Sequence, residues 1–323
     1  MFDQLHPEDY DILLYSALAN NQRLSGMISD RMTGSSAPSG QLWNWYFQPF
    51  GATARQNGWS GYGGYKSQSS GVLIGGDKRR GNWTWGVHGG FIHDGASVYS
   101  PSYLSSNSDG GFIGVQAKHA KDPEKGLFFY GLARAGWDRY ETSRSVSVGD
   151  YERINGAKWT GFSGAVEIGA GWNSKKGSAT LTPVAALNYA VVTRPSVTES
   201  CSAGNGSALN LNSTKYESLR SSLGVKANFA GGTLNNGTTY SVHVSALWHH
   251  EFLDRSHDYG WVLIGGRTSS TWRGNAGSDS VALALGAEFG STEKFSVRAA
   301  VGTEVFRSGY SDFGGSLRFE WKF

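Results

Sequence analysis

The sequence lacks the run of about 18 consecutive apolar residues that a transmembrane helix requires. The longest uncharged apolar stretch near its start, Ile12 to Ala19, is too short and is interrupted by Ser16. Cysteine is nearly absent, and Cys201 standing alone excludes an internal disulfide. A positively charged leader is missing too. Asp3, Glu8, Asp9 and Asp11 make the start acidic, so the chain is expected to be a fragment whose signal sequence and upstream partner lie outside it. The net charge of +3 comes from interspersed signs without a basic cluster, which argues against a nucleic-acid partner. No nucleotide motif is present, and only one segment has a helical pattern, so a soluble α/β enzyme is not indicated. What the chain has instead is 46 Gly, 15 Tyr, 16 Phe and 12 Trp, an aromatic load that disordered chains do not carry.

The one helix is predicted over Pro7 to Arg31. Pro7 suits a first helical position, and Glu8, Asp9 and Asp11 suit the positive end of the helix dipole. Tyr10, Leu14, Ala17, Asn21, Leu24 and Ile28 recur at helical spacing, with Gly26 as the interior breaker. Such a helix spans about 37 Å, enough to cross a bilayer-spanning barrel. The expected division is a helical segment over 1–32, a Gly/Ser/Pro-rich linker over 33–40 and a β domain over 41–323.

From Gln41 the period becomes two. Leu317, Phe319, Trp321 and Phe323 alternate with Ser316, Arg318, Glu320 and Lys322. Similar apolar faces run along Val281 to Phe289, Phe295 to Val301, Tyr240 to Trp248 and Leu181 to Val191. The other face is rich in Gly, Ser, Arg and Glu, which a dry core does not tolerate. Trp and Tyr near strand ends fit the aromatic girdles of membrane barrels. The fold expected is all-β: an antiparallel transmembrane barrel of about twelve strands with the N-terminal helix inside the pore. A ring of that size leaves space that side chains alone do not fill, and it closes from one chain, so a monomer is expected.

Alternate connections are short: Asp77 to Gly81, Lys121 to Gly126, Asn173 to Gly177, Gly231 to Gly237 and Ser291 to Glu293. Most others are expected to be long loops, namely His93 to Ser108, Ser145 to Asn155, Arg194 to Thr214 and Leu253 to Ser278. Short turns belong on the periplasmic side, which puts both barrel ends in the periplasm. Trp261 to Trp272 reads as an extra hairpin or strand extension outside the membrane. Parity assigns Arg134, Asp138, Glu167, Arg220, Lys226, Glu251, Glu288 and Arg298 to the lumen wall, facing Arg23, Asp30 and Arg31 of the helix. The helix leucines and isoleucine are expected against Gly114, Gly164, Gly224 and Gly286.

Several stretches resemble the translocator domain of monomeric, type Va autotransporters. Ser70 to Phe91 (SGVLIGGDKRRGNWTWGVHGGF) looks like that family's second and third strands. Gly164 to Trp172 (GAVEIGAGW) and Leu181 to Ala190 (LTPVAALNYA) are similar to its sixth and seventh. Trp248 to Asp254 (WHHEFLD) and Ser316 to Phe323 (SLRFEWKF) resemble its His-Glu-Phe and terminal strands. The resemblance implies an anchor in the outer membrane, among lipid and lipopolysaccharide, that carries an N-terminal passenger in cis to the cell surface. It also implies assembly by the barrel-assembly machinery and periplasmic chaperones, with Phe319, Trp321 and Phe323 as the assembly signal. A diffusion porin and a barrel enzyme are the competing classes.

The same resemblance makes Asn20-Asn21 a candidate cleavage point, since some members release the passenger between two asparagines inside the pore. The Asn20 amide would attack its own carbonyl carbon, and Glu167 and Asp138 are the carboxylates that parity best places to assist. The competing reading is that the pair only hydrogen-bonds the wall. His249, His250 and Glu251 suggest a metal cluster, but alternation sends His250 to the opposite face, so no metal site is expected. His88 and His243 read as pore lining without a partnered nucleophile, and no residue pattern calls for a cofactor.

Overall fold

A computed structural model describes residues 8–34, 43–58, 63–99, 103–201, 207–235, 237–253, 256–263, 266–273, 277–292 and 294–322. Helix α1 covers Glu8–Thr33. Strands β1 (Trp43–Gln56), β2 (Gly64–Arg80), β3 (Trp83–Tyr99), β4 (Tyr103–Ala120), β5 (Gly126–Val148), β6 (Tyr151–Lys176) and β7 (Ala179–Arg194) follow. Three two-residue strands come next: β8 (Val197–Thr198), β9 (Ser200–Cys201) and β10 (Asn210–Leu211). The chain continues with β11 (Thr214–Thr233), β12 (Thr239–Glu251), β13 (Ser256–Leu263), β14 (Gly266–Arg273), β15 (Asp279–Thr292), β16 (Phe295–Val305) and β17 (Tyr310–Lys322).

Twelve of these strands form one ring. β5, β4, β3, β2, β1, β17, β16, β15, β12, β11, β7 and β6 pair in that order, and β6 returns to β5. Every seam is antiparallel, including the closing seam between the first and last strands, where Trp45 faces Trp321. Closure satisfies each strand's backbone from its neighbours, which hydrocarbon requires. No helix of the described residues is long and apolar enough to cross a membrane.

Alternation fixes what each face meets. On β1 the exposed Trp43, Trp45 and Phe47 interleave with the buried Asn44, Tyr46 and Gln48. On β17, Arg318 and Glu320 turn inward while Phe313 and Leu317 stay exposed. Apolar side chains therefore face outward and polar ones inward, the reverse of a soluble domain.

The short connections fall near the places the sequence gives them, although Asp77–Arg80, Gly231–Thr233 and Ser291–Thr292 belong to strands, and two expected long loops are largely strand. His93 to Ser108 continues β3 and β4 almost to their tips, and Ser145 to Asn155 lies largely within β5 and β6, which meet at Gly149 and Asp150. Several outward residues there, among them Ser105, Asn107 and Glu141, are polar. The inward face there carries apolar residues such as Val98 and Leu104 packed with the helix, so the apolar-outward pattern is lost while the strand continues. The Arg194 to Thr214 connection holds β8, β9 and β10. β13 and β14 pair antiparallel and join β10 and β8 in a separate four-stranded sheet. The linker residues 35–40 and the strand start at Gln41 lie outside the described residues, as does Pro7.

Candidate functional site

Helix α1 stands inside the ring, against β2 to β7 and β11. Its leucines and isoleucines pack among larger side chains of the wall as well as alanines such as Ala96, Ala165 and Ala190. Ile12, Leu13, Leu14 and Leu18 pack with Val98, Leu104, Trp159, Val192, Leu209 and Tyr216 at the long-loop end. Leu24 and Ile28 pack with Tyr46, Phe50, Leu73, Ile92, Phe112 and Leu132 farther down. The lumen is thus partly apolar where the helix touches it. Of the glycines named for this face, Gly164 offers its carbonyl to Asn21, and Gly286 lines a cavity near Arg298.

Polar contacts hold the helix at three levels. At the short-turn end, the Arg31 guanidinium donates through Nε to Asp77 (2.6 Å) and through Nη1 to Glu320 (2.6 Å), and its side chain lies 4.2 Å over the Tyr46 ring. Asp30 next to it pairs with Lys226 (3.2 Å) and Arg298 (2.9 Å). These two helix residues therefore reach β2, β17, β11 and β16. In the middle, Arg134 donates to the Asn21 backbone carbonyl (2.6 Å) and to its side-chain oxygen, while Asn21 Nδ2 donates to Gly164 O at 2.7 Å. Gln22 donates to Ser218 (2.6 Å), which donates to Glu251 (2.6 Å). Arg23 reaches Asp312 (3.2 Å). At the long-loop end Tyr10 donates to Glu199 (2.6 Å), which Arg144 grips through Nε (2.8 Å) and Nη2 (2.6 Å). The Leu209 amide closes on the same carboxylate at 2.8 Å. The β8–β10 segment is thereby folded inward over the start of the helix.

Among the predicted wall residues, Arg134, Lys226 and Arg298 touch the helix directly, and Glu251 acts through Ser218. Arg220 pairs with Glu304 (3.6 Å) and Glu288 with His243 (3.5 Å), both within the wall. Asn20 and Asn21 are buried and share a small cavity with Asp94, Arg134, Asp138 and Ser163. Glu167 is not part of that cavity. It stands nearer the short-turn end and accepts hydrogen bonds from Tyr130 (3.1 Å) and Asn188 (3.0 Å). Asp94, which also accepts from Ser16 (2.9 Å), occupies the position that parity gave to Glu167. Sequence reading missed Asp94 because it fell in a presumed loop. Its parity with the buried Ile92 and Ala96 was the available signal. Asp77 was missed for the same reason, as part of a presumed turn.

His249 is bonded to Ser222 (2.7 Å) inside the lumen, whereas His250 meets Asp279 (2.9 Å) on the outer face. No group of three or more metal-ligating side chains converges among the described residues. His88 is bonded to Gln116 (2.5 Å). Phe319 and Trp321 face the membrane beside Phe47 and Phe295, and Phe323 lies outside the described residues.

Beside the helix, the wall from β12 through β15, β16, β17 and β1 leaves a cavity of about 280 Å³. Ala282, Ala284, Ala300, Gly302 and Gly314 are among its lining residues. The site is therefore a pore filled on one side by its own chain and left partly open on the other.

Comparison with known proteins accords with this geometry. The chain is 26% identical over 198 residues to an extracellular serine protease of Serratia marcescens; that match covers 58% of this chain and 17% of the relative's length. Its fold is similar to the translocator domain of the autotransporter NalP from Neisseria meningitidis, with a TM-score of 0.70 and 16% identity over 95% of this chain and 98% of that one. It is also similar to the β domain of the Bordetella autotransporter BrkA, with a TM-score of 0.59 and 14% identity over 86% and 98% of the two chains. The family model for the autotransporter β-domain matches residues 45–302, and the chain belongs to that family of outer-membrane secretion barrels.

Proposed function

We propose that residues 41–323 anchor in the outer membrane and mediate export of an N-terminal passenger in cis. Residues 1–32 are the last part of that passenger, retained as a plug, and 33–40 are the linker to the first strand. The observation that carries this reading is the seat of the helix: Arg31 and Asp30 are tied by four ion pairs to four different wall strands. A helix held that way is a built part of the pore. In this reading the short turns face the periplasm and the long hairpins face outside. Lipid and lipopolysaccharide surround the outer face, and the terminal aromatic strand is read by the barrel-assembly machinery after delivery by periplasmic chaperones. No enzyme activity toward an external substrate is assigned.

Within this reading the Asn20-Asn21 bond is the release point. The Asn20 side-chain nitrogen attacks the Asn20 carbonyl carbon and closes a succinimide. The C–N bond to Asn21 breaks, and the proton from the amide goes to the departing nitrogen, leaving Asn21 with a free amine. The burial of both asparagines and the nearness of Asp94 and Asp138 support this chemistry. The carboxylates are suited to take and return the proton in a confined site.

The test of the main reading is single-channel conductance before and after deleting Met1 to Met32. A plugged translocator conducts far more once the helix is gone. Unchanged conductance favours a porin whose constriction lies elsewhere.

A further inference from the structure

One part of the outer surface carries cations for which the barrel supplies no anions. Trp43 on β1 lies opposite Lys78 on β2, and Lys78 lies opposite Trp85 on β3. Alternation puts these three side chains in one row on the membrane face, with Trp43 38% and Trp85 56% exposed. Next to that row, Trp45 lies against Gly76, and Arg80 is opposite Trp83. The indoles form two stacked pairs, Trp43 with Trp45 (5.6 Å) and Trp83 with Trp85 (5.2 Å). β2 runs between them carrying Lys78 and Arg80. Four of the chain's 12 Trp thus gather on two strands around two cations, denser than an even girdle would give.

Among the described residues, neither Lys78 nor Arg80 has a carboxylate within 4.0 Å. Asp77, their neighbour in sequence, points into the lumen and is held by Arg31. An external anion is therefore the fitting counter-charge. It must sit at head-group depth, because indoles mark that depth and the strand below them is apolar. Arg and Lys recognise phosphate by charge and hydrogen bonding, and the indole N–H adds a donor while its ring packs on the glycerol and upper acyl chain. A zwitterionic head group brings its own cation and gains less.

We propose that this face is a binding site for an anionic glycerophospholipid of the phosphatidylglycerol type, in the leaflet at the short-turn rim. The assignment goes beyond export and does not need it, since lipid retention is read on the purified barrel. The full chain in mild detergent is equilibrated with equal amounts of phosphatidylglycerol and phosphatidylethanolamine, and bound lipids are counted by native mass spectrometry. Phosphatidylglycerol adducts should outnumber the others at least threefold. The Lys78→Gln/Arg80→Gln double variant should fall to parity, and Trp43→Ala/Trp85→Ala should lose part of the preference. Lys175→Gln/Lys176→Gln, with the same charge loss on another turn, should keep it. Faster migration of unboiled protein on a gel confirms that each variant is folded. Parity in the parent protein, or an equal loss in the Lys175/Lys176 variant, overturns the site in favour of general charge attraction. An undiminished preference in Lys78→Gln/Arg80→Gln overturns it outright.

Discussion

Arg144 and Glu199 form an ion pair with both side chains fully buried, at 2.6 Å between Arg144 Nη2 and Glu199 Oε2. The pair joins the extended β5–β6 hairpin to the inward-folded β8–β9 segment, and Tyr10 of the helix bonds the same carboxylate. Removing one member of a buried pair strands the other, at a cost of about 3–5 kcal/mol. Glu199→Ala is expected to loosen this cap without opening the barrel. Limited proteolysis should then cut within residues 195–213 at least tenfold faster, while the heat-induced gel shift of the barrel stays in place. Unchanged protection of the segment would show that the pair does not hold the cap.

Arg31 should govern the hold at the other end of the helix. Arg31→Met leaves the buried Asp77 without its cation and Glu320 with Arg318 alone (2.7 Å), a loss of about 3–5 kcal/mol at the Asp77 contact. Planar bilayer recordings should show frequent transient openings where the parent shows few. Arg31→Lys should recover only part of the hold, because a point ammonium cannot reach both carboxylates as the forked guanidinium does. Equal quiet in all three proteins would mean that the apolar contacts of Leu24 and Ile28 suffice.

The carboxylates around Asn20-Asn21 separate the cleavage reading from simple wall bonding. With a passenger fused upstream, Asn20→Asp should slow or abolish release. Asp94→Asn and Asp138→Asn should each slow it by about 100-fold or more, the lower range of acid–base contributions. Glu167→Gln should leave it within a factor of two, since that side chain is occupied by Tyr130 and Asn188. Release at the parent rate in Asn20→Asp removes the mechanism.

Two glycines on β6 set the depth of aromatic side chains in the wall. A methyl group at Gly169 would stand 2.4 Å from the Tyr130 ring, and one at Gly171 would stand 2.4 Å from the Phe128 ring. Gly169→Ala must push Tyr130 off its seat and away from Glu167, an overpacking cost of about 1–3 kcal/mol. Refolding from urea into detergent should slow and give a lower folded yield. The same change at Gly26, where nothing lies within 4 Å, should leave folding intact or improve it slightly through helix propensity.

The sequence by itself determined the strand period, the outward apolar face, the ring of twelve and the presence of one helix. Each of these follows from local rules: side chains alternate along a strand, hydrocarbon forbids open edges, and the helix shows its own spacing. It also settled which face Arg134, Lys226 and Arg298 occupy, because parity alone decides that. Tertiary structure decided height. Parity cannot say at what level along the barrel axis two inward groups stand, since the stagger between strands sets it. Hence Glu167 came out below the asparagine pair and Asp94 beside it. Hence also Arg31 found Asp77, 46 residues away, and Glu320, 289 residues away, as partners. The long hairpins were hidden for a related reason: near their tips the inward face turns apolar against the helix, as at Val98 and Leu104, while outward positions such as Ser105 and Asn107 turn polar, so the apolar-outward pattern that marks the other strands no longer applies.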